Sequence, residues 1–189
     1  MNHYDDEKHI YTMGGAIVPS VTRIVPKPDF FCTPEQLEAA REDGEENHSM
    51  IKMYWDTLET FGDPMLEALA AWVDENRALV GDMVLYEKPL YSERHRYAGK
   101  PDAIFSKAVI DFKRTFGNKR LHALQTAGYH ALATENKIIP KTKTHLILVY
   151  NGKVFKAKNV YDPQAEAVFL SLVKKYYIEE ELKKWMNKN

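Results

Sequence analysis

Two aspartates and a lysine, Asp102, Asp111 and Lys113, have the types and spacing needed for chemistry on a phosphate ester. Two short apolar runs after Asp102 predict a tight β-hairpin with strands Ala103–Phe105 and Ala108–Phe112. Residues two apart on a strand share a face, so Asp111 and Lys113 project together and the hairpin brings Asp102 beside them. Carboxylates are ligands for Mg²⁺, and the ammonium can orient or deprotonate a water or offset charge on the phosphate. The set therefore indicates metal-assisted phosphodiester hydrolysis.

The stretch 118–135 has the apolar spacing of a helix that would cover this site. Gln125 and Tyr129 are four residues apart and share a face, which we expect to pack on the sheet that carries Asp111 and Lys113. A glutamine on a buried stripe needs hydrogen-bond partners, and a site holding phosphate, metal and water supplies them. The alternatives are a structural glutamine beside a boundary tyrosine and, for an isolated Asp-x-Lys, a solvated surface hairpin.

Taken in order, these residues resemble the PD-(D/E)XK nuclease superfamily, and most closely its RecB-like exonuclease branch of phage-type and mitochondrial genome-maintenance enzymes. The matching pieces are Pro101-Asp102, Asp111-Phe112-Lys113 and Gln125-x-x-x-Tyr129. The resemblance implies that the two aspartates and the Phe112 carbonyl bind Mg²⁺ or Mn²⁺ and that Lys113 is the catalytic lysine. It also implies that Gln125 and Tyr129 support the site or contact DNA. It covers roughly residues 16–150 and implies an α/β, three-layer restriction-endonuclease-like core, in which helices flank a central mixed sheet.

Two further side chains are candidate metal ligands by the same resemblance. Gly44-x-x-x-His48 is similar to the glycine–histidine signature of RecB-like proteins, in which the histidine binds the metal. A neutral imidazole binds Mn²⁺ and tolerates a Mg²⁺ site; the alternative is a core histidine on an apolar helix stripe. Glu87, on a predicted strand Met83–Leu90, matches the additional metal-binding glutamate of some superfamily members, and a salt bridge to a nearby Lys or Arg is its alternative.

Polar and basic residues outside these motifs are candidates for contact with the DNA backbone. Ser20, Thr22 and Arg23 lie in a Pro-Ser-Val-Thr-x-Ile stretch that resembles one close to the active site of phage-type nucleases of this branch. Hydroxyl groups and a guanidinium suit phosphate, and a short strand with a turn is the alternative. The other basic candidates are Arg94, Arg96, Arg114 and Lys119, and the first two could equally belong to an ordinary basic loop.

Charge divides the 189-residue chain into unlike halves, although the net charge is only −1. Residues 1–87 hold six Lys and Arg against 18 Asp and Glu, whereas residues 88–189 hold 20 against nine. A local positive face is what phosphate binding needs, whatever the total. We expect a single domain over 1–189, with an acidic segment and helices in 1–82 and a basic sheet core with a C-terminal helix in 83–189.

Composition also predicts what the protein lacks. Cys32 is the only cysteine, which excludes an intrachain disulfide and the four-cysteine iron–sulfur cluster of some relatives. No apolar run approaches the roughly 18 residues of a membrane span, and the acidic N-terminus has no hydrophobic signal region. We therefore expect a cytoplasmic protein with no membrane partner, and the resemblance implies a bacterial or phage-infected cell.

The remaining periodicity predicts loop-like residues 1–15, then three helices, the sheet and a final helix. The three helices are expected at 34–42, 46–61 and 64–80, with Gly44 as a possible break between the first two. The last elements are expected to be a strand at His145–Tyr150, a type I′ turn at Asn151-Gly152, a returning strand at Lys153–Lys158 and a helix from Asp162-Pro163 to about Trp185.

Three functions are compatible with these patterns. The first is a metal-dependent DNA exonuclease that acts on free ends or single strands in recombination, replication or repair, as phage enzymes of the resembled branch do. The second is a structure-specific or nicking endonuclease of the same fold. The third is a non-catalytic nucleic-acid-binding or assembly protein whose acidic half meets a recombination or replication partner. The intact Asp102, Asp111 and Lys113 argue against the third, since a decayed site is expected to lose one of them.

Overall fold

Short strands and longer helices alternate along the chain in the computed structural model, which describes residues 1–27 and 33–187. The helices are α1 (Val21–Ile24), α2 (Pro34–Thr57), α3 (Pro64–Val80), α4 (Lys119–Glu135) and α5 (Ala165–Met186). The strands are β1 (Asn2–Asp5), β2 (Ile10–Met13), β3 (Ala16–Val18), β4 (Met83–Tyr86), β5 (Leu90–Ser92), β6 (Tyr97–Gly99), β7 (Ala103–Phe105), β8 (Ala108–Phe112), β9 (His145–Tyr150) and β10 (Phe155–Asn159).

A mixed five-stranded sheet forms the centre of the fold, in the strand order β10-β9-β8-β7-β4. The β8 and β9 strands run parallel, and the other neighbours are antiparallel. Every residue of β8 is buried, as expected for a strand that is covered on both faces. The predicted hairpin is confirmed, since Phe105 pairs with Ala108 across a turn at Ser106-Lys107.

Helices cover both faces of this sheet. Alternate residues of a strand point to opposite faces, so Ile110 and Phe112 pack in a cluster with Leu69 and other residues of α2 and α3. Val109 points the other way, into a cluster with Phe169 and other residues of α4 and α5. The predicted α/β class, a mixed sheet between two helical layers, is therefore confirmed.

The first 18 residues form a small antiparallel sheet in the order β1-β2-β3, so the prediction of a loop-like N-terminus was wrong. Tyr11, Met13 and Val18 bury their side chains against Ala98 of β6. The Ala98 N–H also donates to the Pro19 carbonyl at 3.0 Å. Strands of three or four residues are too short to give a readable alternation, and their burial comes from β6, which is distant in sequence.

One continuous helix, α2, replaces the two helices that the sequence predicted, so the break expected at Gly44 was wrong. A glycine inside a helix costs only about 1 kcal/mol relative to alanine. The helix ends at Thr57 rather than at Phe61, because Leu58 adopts a φ of 59°.

The predicted strand Met83–Leu90 is divided in two, and Glu87 follows the end of β4 rather than lying on it. Glu87 has a φ of 39°, and Pro89 has no N–H to donate to a strand ladder. The β5 strand pairs with β6 in a separate two-stranded sheet.

The C-terminal turn and helix also differ in detail from the prediction. The Asn151 side chain accepts hydrogen bonds from the N–H groups of Lys153 and Val154, so the connection is longer than a type I′ turn and β10 begins at Phe155. The Asp162 carboxylate accepts from the Gln164 N–H at 2.8 Å, and α5 begins one residue later.

Two of the expectations drawn from composition concern the single cysteine and membrane-spanning segments. Cys32 lies outside the described residues. Within the part of the chain that the structure describes, no helix is both long and apolar enough to cross a membrane.

Close packing between α4 and α5 depends on Gly128. A Cβ atom at this position would lie 2.8 Å from the ring of the fully buried Phe169. We expect Gly128→Ala to lower the free energy of unfolding by about 2 kcal/mol through overpacking. Gly44→Ala is the matched control, because the added Cβ meets nothing within 4 Å; it should raise stability by up to about 1 kcal/mol. Urea unfolding measures both, and equal effects would contradict the packing argument.

Two histidines are buried together beneath the start of β9. The rings of His130 and His145 lie 4.9 Å apart, and that of Tyr161 lies 5.2 Å from His145. Both ring nitrogens of His145 are buried with no hydrogen-bond partner among the described residues. Burial, together with the charge that His130 would carry, lowers the pKa of His145 to about 4.

Acid should therefore destabilise the fold through His145. A histidine whose pKa is lowered in the folded state contributes stability above its unfolded pKa, near 6.5, and that stability is lost as the pH falls towards 4. When the pH falls from 7 to 4.5, the free energy of unfolding should decrease by about 2 kcal/mol less in the His145→Phe variant than in the parent protein, because the variant has no imidazole to protonate at this position. Urea unfolding at a series of pH values measures this difference, and parallel pH profiles for the two proteins would refute the assignment.

Candidate active site

The β7–β8 hairpin brings the two predicted aspartates together. Ala103 pairs with Ile110, so the residue before β7, Asp102, falls opposite Asp111. The Asp102 Oδ2 atom accepts the Phe112 N–H at 2.7 Å, which fixes this carboxylate at the end of β8. Asp111 is completely buried and Asp102 is 9% exposed, so two acidic groups share a largely dry site.

Lys113 neutralises part of this charge. Its Nζ atom lies 2.6 Å from the Asp111 Oδ2 atom, although within the described residues that oxygen has no aligned hydrogen bond. Burial raises the pKa of Asp111 to about 6. The positive charge of Lys113 acts to lower this pKa, and the negative charge of Asp102 adds to the rise. Burial alone would lower the pKa of Lys113, but the two carboxylates outweigh it and raise that pKa. The lysine is therefore a cation at neutral pH in this arrangement.

The α4 helix covers the carboxylates with a polar pair, as its sequence spacing predicts. The Gln125 Nε2 atom donates to the Asp111 Oδ1 atom at 3.1 Å and to the Tyr129 hydroxyl at 3.4 Å. Burial raises the pKa of Tyr129 well above its usual value, and the charge of Asp111 adds to the shift. The tyrosine therefore stays protonated, and the amide satisfies the Asp111 oxygen that Lys113 does not contact.

The α2 helix, on the other face of the sheet from α4, brings His48 to Asp102. The His48 Nε2 atom lies 3.8 Å from the Asp102 Oδ2 atom, and its Nδ1 atom lies 3.0 Å from the Glu87 Oε1 atom. The Tyr86 hydroxyl donates to the His48 carbonyl at 3.1 Å and so anchors the helix here. Burial lowers the pKa of His48, but Glu87 and Asp102 more than reverse the effect and raise it.

Glu87 orients His48 rather than joining the two aspartates. Its left-handed backbone after β4 turns the carboxylate towards the imidazole, and its second oxygen lies 3.8 Å from the Lys100 Nζ atom. A carboxylate on one imidazole nitrogen fixes the ring and makes the other nitrogen the better ligand. His48 Nε2, which faces Asp102, is thus the nitrogen available to a metal.

The donor set fits a divalent cation in its chemistry. Two carboxylates and a histidine nitrogen are suitable ligands for Mg²⁺ or Mn²⁺, and the buried Asp111 Oδ2 atom lacks an aligned donor. The predicted carbonyl ligand belongs to Phe112, between Asp111 and Lys113 in sequence. Across residues 1–27 and 33–187, no three His, Cys, Asp or Glu side chains already converge as a metal centre. Because the Lys113 ammonium lies 2.6 Å from the Asp111 Oδ2 atom, a cation could bind that oxygen only after the ammonium moves away.

A cavity of about 760 Å³ opens over this site. Its lining includes Asp102, Lys113, Gln125, Tyr129, His48 and Glu87. Ser20 and Thr22, two of the predicted phosphate contacts, also line it, and their hydroxyl oxygens lie 3.0 Å apart at the start of α1. The cavity therefore joins most of the predicted site residues, although they come from widely separated parts of the chain.

Other predicted DNA contacts lie elsewhere. Arg23 lies over the ring of Tyr176 at 5.7 Å and is not part of the cavity lining. The Arg94 N–H donates to a carboxylate oxygen of Glu135 at 3.2 Å, at the far end of α4 and about 15 Å along the helix from Gln125.

The three remaining basic candidates also fall outside this cavity. The Arg96 carbonyl accepts a hydrogen bond from the Tyr177 hydroxyl on α5. Lys119 is an exposed residue at the first position of α4. Arg114 lines a second, adjoining cavity.

The N-terminal sheet also contributes to the cavity, which no pattern in the sequence predicted. The cavity is also lined by Tyr4 and Asp6 of the β1–β2 hairpin, and by Lys100. The Lys100 Nζ atom lies 3.1 Å from the Asp6 Oδ1 atom and 5.5 Å from the centre of the Tyr4 ring. Lys100 precedes Asp102 by two residues, and this spacing places two side chains on one side of an extended segment. That spacing could have identified Lys100 as a candidate site residue. Nothing local in the sequence marks Tyr4 or Asp6.

Comparison of the sequence with models of known protein families gives no match, and comparison with curated proteins gives none either. The function is therefore inferred from the geometry of the site and from the resemblance of its motifs.

The contact between Asp111 and Lys113 should be visible in protein stability. Lys113→Met leaves a buried carboxylate without its cation, and we expect a loss of about 3 kcal/mol at pH 8. The pKa of Asp111, already raised to about 6, should rise further, so stability returns as the pH falls below 6 and the carboxyl takes up a proton. The double variant Asp111→Asn/Lys113→Met should recover most of the loss at pH 8.

Urea unfolding of the parent, the single variant and the double variant at pH 8 and pH 5 measures these effects. A Lys113→Met loss that is the same at both pH values would show that the pair does not interact as described.

Proposed function

We propose that the protein is a Mg²⁺- or Mn²⁺-dependent DNA nuclease, and specifically an exonuclease that hydrolyses phosphodiester bonds in DNA recombination, replication or repair, as phage enzymes do. The observation that carries the proposal is the arrangement of Asp102, Asp111 and Lys113 beneath Gln125: Asp102 and Lys113 line the cavity, and Asp111 is buried directly behind Lys113. Burying two carboxylates at one strand end is costly. A catalytic requirement accounts for this cost better than stability does.

The metal ligands in this proposal are Asp102, Asp111, His48 and the Phe112 carbonyl. The chemistry that a divalent cation supplies when bound is polarisation of the phosphate and activation of a water. The chain's own contribution is to hold the carboxylates in place: the Phe112 N–H fixes Asp102, and the Gln125 amide fixes Asp111. Glu87 fixes the ring of His48 through its Nδ1 atom.

Lys113 is the catalytic lysine of the proposal. Because the two carboxylates raise its pKa, it acts as a cation that positions the attacking water and offsets charge developing on the phosphate. When the Lys113 ammonium moves from Asp111 to the phosphate, it exchanges one anionic partner for another. The hydroxyls of Ser20 and Thr22 line the same cavity as Lys113, and in the proposal they donate to a neighbouring phosphate of the strand.

The basic character of residues 88–189 supports a nucleic-acid substrate. The preference for an exonuclease over an endonuclease rests on the resemblance to the RecB-like branch. Closed circular DNA separates the two, because a circle offers no end to an exonuclease.

The test is cleavage of end-labelled linear single- and double-stranded DNA beside closed circles, in Mg²⁺, Mn²⁺ or EDTA. We expect metal-dependent loss of linear DNA only. Lys113→Ala should slow that loss at least about 100-fold, because the lysine acts on charge in the transition state. Lys107→Ala is the matched control: this lysine lies in the turn at the other end of the same hairpin and donates to the Ala78 carbonyl, so cleavage should persist.

Metal-dependent cleavage of circles would favour the endonuclease. Intact DNA in every condition, with binding that survives EDTA and Asp111→Ala, would overturn the nuclease and favour a binding or assembly protein.

A further inference from the structure

A second cavity, of about 410 Å³, adjoins the first at the candidate active site. Three residues, Gly44, His48 and Lys113, line both cavities. The second cavity is lined by residues of α2, of the ends of β8 and β9 and of the start of β10, and Gln125 and Tyr129, which line the first cavity, do not line it. A strand bound across Lys113 would therefore have a place for its backbone on one side and a separate compartment on the other.

Aromatic rings form one wall of this second cavity. The ring of Phe112 lies edge-on to His48 at 6.4 Å and to Phe155 at 6.0 Å. The ring of Tyr150 continues the row at 5.3 Å from Phe155; it is partly exposed, whereas Phe112 and Phe155 are buried. Each base has a π-face that stacks on an exposed ring such as that of Tyr150, with little regard to sequence.

The rest of the cavity completes an amphipathic site. Its apolar lining comes from Ile51, Met65 and Leu148. Lys113, Arg114 and Glu46 also line it, and Lys113 is the group that meets the scissile phosphate in the proposed reaction. An ammonium in the lining suits a phosphate, and the ring-lined interior suits a planar base.

We infer that this cavity is a binding site for one deoxynucleoside monophosphate, the unit that the nuclease releases. Its volume lies in the range of small-molecule sites, about 300 to 1,000 Å³, which admits a nucleotide and excludes a duplex. The inference rests on the proposed function and deepens it: the substrate is a strand end, and the product leaves as a mononucleotide.

The nucleotide that occupies the site is produced by hydrolysis of one phosphodiester bond. A water oxygen forms a bond to phosphorus, and the bond from phosphorus to the neighbouring nucleotide's oxygen breaks. The proton that the water loses is matched by the proton that the leaving oxygen takes up. The terminal base sits against Tyr150 and Phe155 before and after this step, and its phosphate stays near Lys113.

The test is direct binding of nucleotides to the full chain in EDTA, by isothermal titration calorimetry. The probes are the 5′- and 3′-monophosphates of deoxyadenosine, deoxyribose 5-phosphate, inorganic phosphate and the nucleoside. We expect one of the two monophosphates to bind at least about tenfold more tightly than deoxyribose 5-phosphate, because the base stacks on the aromatic wall. Equal affinities for that monophosphate and inorganic phosphate would overturn the inference.

Substitutions at the end of β9 and on α2 test whether the monophosphate binds in this cavity. Tyr150→Leu should weaken binding of the monophosphate about tenfold, whereas Tyr150→Phe, the matched control, keeps the ring and the affinity. Asn47→Trp, on α2, should block the cavity and abolish binding, whereas Asn47→Ala should leave it open. Thermal unfolding shows whether each variant is folded. If Tyr150→Leu does not fold, the two Asn47 variants still test the site.

The outcomes separate the inference from the proposed function. Metal-dependent cleavage of DNA with no monophosphate binding, or with binding that survives both Tyr150→Leu and Asn47→Trp, would overturn the inference and leave the nuclease standing. Monophosphate binding that both variants remove, in a protein that leaves DNA intact, would support the nucleotide site and overturn the nuclease.

Discussion

The buried contact between the Asp111 carboxylate and the Lys113 ammonium is the constraint on which the rest of the site depends. A fully buried carboxylate is tolerated only when charge and hydrogen bonds compensate it, and here Lys113 and the Gln125 amide supply the compensation. The fold must therefore bring α4 against β8 at one position. It must also hold the β7–β8 register, because that register sets Asp102 opposite Asp111.

Such a site is a poor way to gain stability. Buried ion pairs are often worth less than hydrophobic residues of the same shape, and here the raised pKa of Asp111 reflects the cost of its burial. The surrounding layers supply the stability instead, through apolar clusters on both faces of the sheet. This separation is expected when a rigid apolar scaffold holds polar groups in an unfavourable environment.

Two cavities meet at Lys113, and their walls come from parts of the chain that are far apart in sequence. The N-terminal sheet and α1 contribute one wall of the larger cavity, while α2 lies between the two and presents His48 to both. The N-terminal hairpin is tied to the site through Asp6, Lys100 and Glu87. A charged path thus links this sheet to the imidazole that faces Asp102.

The sequence by itself determined the elements with strong local signals. Apolar runs on either side of a two-residue turn predicted the β7–β8 hairpin, and an i, i+4 spacing predicted that Gln125 and Tyr129 share one face. Period-two alternation placed Asp111 away from Ile110 and Phe112. These signals are local, because each depends only on residues a few positions apart, and they were enough to nominate Asp102, Asp111, Lys113 and Gln125 as one cluster.

Only the tertiary structure decided what lies around that cluster. The strands of residues 2–18 are too short to be periodic and acquire their burial from β6. The continuity of α2 through Gly44 went against a local glycine penalty of about 1 kcal/mol. Glu87 turned towards His48 because its backbone left the strand at a positive φ. The placement of Arg94 at the far end of α4 and of Arg96 against α5 likewise follows from packing between distant segments, which no local pattern encodes.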